Sequence, residues 1–151
     1  MKHLAIFLAA LILAATLIVP PTAHSFGLFG KHTAVEPENG IVRIQTKDVS
    51  DGQAHYYKYA HGGREIKFFL LKSNDDVIRA AFDACDVCFH SRKGYVQDGE
   101  FMVCENCGRR FHSGRINIVK GGCNPAPLER AYDQQFVTIQ VKDIMTGTKY
   151  F

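Results

Sequence analysis

Tryptophan is absent from this sequence, and methionine, cysteine and proline are scarce, at three, five and five residues of 151. An apolar core must therefore come from the aliphatic residues together with eleven Phe and six Tyr. Neither sign of charge dominates: eighteen Lys and Arg face fifteen Asp and Glu, a formal net charge of +3. That excess is too small to argue for a nucleic-acid partner. No Ser/His/Asp constellation, phosphate-cradling glycine loop or paired-carboxylate motif is present, so neither hydrolysis nor phosphoryl transfer is predicted. The chain is read as a non-enzyme, with a redox-carrier role left open. There is no internal repeat or low-complexity tract, which excludes a solenoid or a disordered array.

One long hydrophobic run exists, at the N-terminus. Leu4 to Val19 is uncharged and almost wholly apolar, follows a short polar start at Lys2 and His3, and is stopped by Pro20 and Pro21. Ala23 and Ser25 place small residues before a cut at Phe26. The run is short of the ~20 residues that cross a bilayer comfortably. Residues 1–25 are thus expected to be a cleaved secretory signal, or alternatively an uncleaved anchor. No Cys follows the run and no twin-arginine pair precedes it, so export of an unfolded chain is expected. The destination would be the periplasm or the outer face of the cytoplasmic membrane. Residues 26–40 contain Gly, Pro and His without a clear period and read as a linker. Residues 41–151 read as one domain.

All the cysteines lie in one stretch of that domain. Cys85-Asp-Val-Cys88 and Cys104-Glu-Asn-Cys107-Gly108 are separated by fifteen residues, and Cys123 follows fifteen residues later. Each Cys-x-x-Cys pair offers two thiolates at one tight turn, and two such turns face to face supply a tetrahedral set. Cys85, Cys88, Cys104 and Cys107 are therefore the candidate metal ligands. Cys123 is a possible fifth participant, a replacement ligand, or a buried thiol in a tight Gly-Gly-Cys loop. The glycine after Cys107 allows a positive φ and close approach of backbone amides to sulfur. Phe89-His90 stand in the corresponding place after Cys88, which makes the first turn less regular. His90 and His112 follow their pairs closely and are read as surface residues.

The rest of the domain reads as strands. The segments expected are Ile41–Val49, His55–Tyr59, Arg64–Lys72 and Val77–Phe82, with Arg64–Lys72 central because of its apolar run Phe68–Leu71. A hairpin is expected over Gly94–Val103 with an Asp98-Gly99 turn, each arm leading to one cysteine turn. Arg115–Val119 could be a short strand, Gly121–Pro127 an irregular loop, residues 127–135 one helical turn, and Phe136–Val141 the clearest strand, followed by a turn at Thr146-Gly147. The fold class expected is mostly β: a small single domain with a two-knuckle four-cysteine metal site, of zinc-ribbon or rubredoxin type, on a β scaffold.

Four thiolates suit zinc, a single iron or an iron–sulfur cluster equally well by ligand type. Disulfides compete for the same residues, but a bridge inside Cys-x-x-Cys is cramped and an odd fifth cysteine fits a framework poorly. A redox dithiol is disfavoured by the acids Asp86 and Glu105, which raise thiol pKa values. A chain exported unfolded cannot easily carry a preassembled cluster, which favours a mononuclear metal.

Several stretches together resemble a known family: Phe82-Asp-Ala-Cys85-Asp-Val-Cys88, Lys93-Gly-Tyr95, Met102-Val-Cys104-Glu-Asn-Cys107-Gly108, Arg115-Ile-Asn117 and Gly121-Gly-Cys123-Asn-Pro-Ala-Pro127. They are similar to a bacterial domain of unknown function related to the C-terminal domain of membrane iron–sulfur proteins associated with ferrous-iron uptake. The upstream Asp51-Gly52 and Phe68-Phe69-Leu70 extend the likeness over roughly residues 40–150. The resemblance implies an iron–sulfur cluster or iron as cofactor, with zinc as the alternative. It also implies a role in iron transport or electron transfer, and a membrane iron-transport or redox protein as partner. The alternatives carried beside it are a structural zinc module that presents a surface to another protein, and a thiol–disulfide redox protein.

Overall fold

The computed structural model describes residues 30–151. The expected signal segment and residues 26–29 of the expected linker lie outside the described residues. Within them the fold is mostly β, with three small sheets. The central sheet contains β1 (Thr33–Ala34), β3 (His55–His61), β4 (Arg64–Lys72) and β5 (Ile78–Phe82), in the order β1-β3-β4-β5. A second sheet is formed by β2 (Ile41–Gln45), β10 (Phe136–Gln140) and β9 (Ala131–Tyr132), with β10 in the middle. The third is the meander β6 (Tyr95–Asp98), β7 (Phe101–Cys104) and β8 (Arg110–His112).

Strand β4 explains how these layers stack. Successive side chains on a strand point to opposite faces. Phe68 and Leu70 pack into one cluster with Val42, Ile44, Val137 and Ile139 of the second sheet. Phe69 and Leu71 pack into the other, with Tyr95, Met102 and the buried cysteines. Both faces of the central sheet are therefore covered, and that is why Phe68–Leu71 is a continuous apolar run rather than an alternating one. All four side chains are at most 1% exposed. Each contributes on the order of 1.5–3 kcal/mol of burial free energy.

Five local expectations are corrected. The strand expected over Ile41–Val49 ends at Gln45, because Thr46–Val49 turns into a 3-10 helix that drives Val49 into the core. Arg115–Val119 is not a strand: Asn117 has φ 68°, and its side-chain amide pairs with Ala80 N–H at 3.2 Å and Ala80 C=O at 2.7 Å. The amide thus takes the place of a backbone partner for Ala80 N–H at the β5 edge and shares the Ala80 carbonyl with Leu128 N–H. After the irregular Gly121–Pro125 stretch, pairing resumes: Ala126 N–H donates to Ala84 O at 2.9 Å, and Leu128 N–H to Ala80 O at 3.2 Å. That extension along β5, followed by strand β9, replaces the helical turn expected over 127–135. At the C-terminus the expected simple turn is helical: α1 (Val141–Met145) runs into a 3-10 helix over Thr146–Tyr150. Finally, much of the expected linker is held down. Thr33 and Ala34 pair in parallel with Tyr57 and Lys58 of β3, and Val35 N–H donates to Lys58 O at 3.0 Å.

Candidate metal centre

Three chain segments bring the sulfurs together. Strand β5 leads into Asp83, whose N–H donates to Lys67 O at 2.9 Å, and then into Cys85. The chain turns at once, and Cys88 N–H donates to the Cys85 sulfur at 3.1 Å. A short 3-10 helix over Phe89–Ser91 follows and closes with Arg92 at φ 55°. The β6–β7 hairpin brings in the second turn. Tyr95 pairs with Cys104 in register, so both Cys-x-x-Cys turns lie at the open end of the hairpin, away from its Asp98–Phe101 turn. Gly108 has φ 71° and donates its N–H to Cys104 O at 2.8 Å, which gives the second turn the tight form its glycine predicted. The third segment carries Cys123. The buried Tyr95 hydroxyl donates to the Cys123 carbonyl at 2.6 Å and pins that loop over the other sulfurs.

The five sulfurs fall into two groups of three: Cys85 with Cys88 and Cys104, and Cys88 with Cys107 and Cys123. Within each group all sulfurs lie within 4.8 Å of one another, and Cys88 belongs to both. Cys123, whose role the sequence left open, is thus placed inside the cluster. Cys85, Cys104 and Cys123 are buried, Cys88 is half-buried and Cys107 is exposed. The Cys88 and Cys123 sulfurs are 3.7 Å apart. Two thiolates on one tetrahedral ion with ~2.3 Å metal–sulfur bonds stand ~3.8 Å apart. The donor set is wholly thiol, which suits soft or borderline metals over magnesium or calcium. His90 and His112 are in neither group; His112 instead accepts the Gly114 N–H at 3.1 Å.

The thiols differ in their readiness to ionise. Burial pushes Cys104 up to about 11, against the opposing pull of the Cys107 and Asn106 N–H groups. Burial likewise raises Cys123, to about 12. Exposed Cys107 moves the other way, to about 7, chiefly because the Arg109 N–H bonds its sulfur. Amides that stabilise a thiolate also favour the metal-bound form, because metal binding requires the deprotonated sulfur.

Sequence reasoning missed the brace beside this cluster. Asp83, with only 3% of its side chain exposed, accepts from Tyr95 N–H at 2.7 Å, Lys31 Nζ at 3.1 Å and His32 Nε2 at 2.8 Å. Lys31 also bonds the Tyr95 carbonyl, as does the Tyr56 hydroxyl at 3.1 Å. The acid directly ahead of Ala84-Cys85 was a visible signal. Lys31 and His32 had none, because their partner is 51–52 residues away in the chain. On the other side Tyr150 donates to Asp86 at 2.7 Å, which docks the C-terminal 3-10 helix onto the first cysteine turn.

A small β domain that gathers five thiols from three segments defines a class: a thiolate-rich domain of metal-binding type. Residues 49–151 match the family model described as membrane iron-sulfur containing protein FtrD-like. The chain belongs to this FtrD-like family. No curated protein and no solved structure matches it. Among the described residues no helix is long and apolar enough to cross a membrane.

Proposed function

We propose that the protein is an exported iron-binding module in iron handling or electron transfer, with the cysteine cluster as its metal centre. The observation that carries this reading is the convergence of sulfurs from three chain segments into two groups that share Cys88. Cys85, Cys88, Cys104 and Cys107 would hold the metal, with Cys123 as the additional sulfur. Iron bound there supplies one-electron chemistry. The chain's own part is to present thiolates. The Cys88 and Arg109 amides support the sulfurs, Tyr95 holds the Cys123 loop in place, and the Asp83 brace fixes the spacing between the two turns. The family supports iron. The 3.7 Å Cys88–Cys123 separation suits two thiolates on one tetrahedral metal, whether a lone ion or one iron of a cluster, and keeps structural zinc as the second reading. Export of an unfolded chain is what favours a mononuclear site. The apolar run Leu4–Val19 supports export, and a membrane iron-transport or redox protein is the partner the family suggests.

Anaerobic isolation followed by elemental analysis and absorption spectroscopy tests this. Iron with sulfur-to-metal charge-transfer bands is expected, and Cys88→Ser should lose more metal than Cys107→Ser because it depletes both groups. Colourless protein with one zinc would establish the second reading. Metal-free folded protein with one readily reducible Cys-x-x-Cys pair would overturn both.

A further inference from the structure

A cleft of about 450 Å³ opens directly beside the cysteine cluster. Its volume lies within the range of small-molecule sites, ~300–1,000 Å³. Cys85, Cys88 and Cys104 form part of its wall, so whatever enters meets the sulfurs. Cations reach it from two separate segments: Arg64 and Lys67 from β4, and Arg92 and Lys93 from the stretch after the first cysteine turn. The acids in the lining, Asp83 and Glu65, are already engaged. Asp83 is taken by Lys31 and His32, and Glu65 by Lys58 at 2.6 Å with Lys67 at 4.0 Å. Arg92 and Lys93 are exposed and make no ion pair among the described residues. Phe89, Tyr95, Tyr150 and Phe151 add aromatic surface to the wall.

We infer that this cleft binds a small polycarboxylate of the metal-chelating kind and holds it against the thiol cluster. Among the described residues Arg64 donates only to the Thr148 and Phe151 main-chain oxygens, at 3.4 and 3.1 Å. Together with Arg92 and Lys93 it leaves positive charge from two segments without a side-chain carboxylate partner, which calls for an anion with more than one carboxylate held by charge-assisted hydrogen bonds. The aromatic wall calls for a carbon skeleton, which inorganic phosphate lacks. A carboxylate chelate is also a chemically sensible carrier here, because hard oxygen donors yield a borderline metal to thiolates. The inference rests on the metal-centre reading for its cargo alone. The anion site itself does not need metal, so citrate titration and elemental analysis fail separately.

The experiment is isothermal titration of the full chain with citrate, inorganic phosphate and acetate, on wild type and on Arg92→Asn and Lys93→Gln. Asn tolerates the left-handed conformation of Arg92 at φ 55°. Citrate should bind and acetate should not. Each variant should weaken citrate roughly 5–30-fold with metal content unchanged. Absence of citrate binding, or citrate affinity unaltered in both variants, would overturn the inference. Phosphate binding as tightly as citrate would overturn the polycarboxylate assignment. Loss of metal with citrate affinity intact would show instead that these cations neutralise the thiolate centre.

Discussion

Replacing Gly94 with alanine should damage this fold far more than a glycine-to-alanine change ordinarily does. Gly94 has φ +77°, and a Cβ there would stand 2.6 Å from both Cγ and Oδ2 of Asp83, and closer still to Oδ1. Asp83 cannot swing aside without cost. Its carboxylate is held by the Tyr95 amide at 2.7 Å, by His32 at 2.8 Å and by Lys31 at 3.1 Å. Gly94 O also accepts from Glu105 N–H at 3.0 Å, so a shift of its backbone disturbs the second cysteine turn. Gly99 is the control. It too has a positive φ, +58°, but nothing lies within 4 Å of its Cβ position. Gly99→Ala should lose only the conformational term, ~1–2 kcal/mol. Gly94→Ala should lose that and at least one hydrogen bond to a charged group, worth ~1.5–3 kcal/mol, for a total of ~2.5–5 kcal/mol. Urea unfolding of both variants at matched metal loading measures the difference. Equal destabilisation of the two would refute the claim that Asp83 is a rigid brace between the cysteine turns.

Two further outcomes follow from the same geometry. In metal-free protein Cys107 should be the thiol first alkylated by iodoacetamide, with half-maximal rate near pH 7, while buried Cys104 and Cys123 resist; peptide mapping reads this out. The sign for stability is worked from the same shift. Cys107 falls from 9.0 to about 7 on folding, so its contribution is fully present above pH 9 and is lost as pH falls through about 7. Stability rising as pH drops over that interval in metal-free Cys107-containing protein, relative to Cys107→Ser, would contradict it. Asn117→Ala should cost ~2–4 kcal/mol by thermal or urea unfolding, since it strips both bonds to Ala80 and puts at φ 68° a residue that tolerates the left-handed region less well than asparagine. A loss below ~1 kcal/mol would mean that the 115–119 segment does not depend on the β5 edge.

The strands were legible wherever local pattern and tertiary demand agree. Arg64–Lys72 was readable to the residue, because an apolar run inside a β-branched and aromatic stretch has one physical solution, a strand covered on both faces. The hairpin over residues 95–104 was equally visible through its Asp98-Gly99 turn. The short α1 was not, since its five residues carry no side-chain cap and too few turns to show a period. Arg115–Val119 misled because alternation in sequence cannot reveal that one Asn side chain takes the place of a backbone partner.

By itself the sequence determined the chemistry. Five cysteines in two Cys-x-x-Cys turns and one loop mark a sulfur-rich candidate metal site, because spacing within a turn is a local property. Only the tertiary structure decided how those sulfurs divide, with Cys88 common to both groups and Cys123 among them. It alone placed Lys31 and His32 on Asp83 and opened a basic cleft beside the thiols. Those arrangements join residues tens of positions apart, and their proximity is fixed by how three small sheets pack, which no local pattern of residues records.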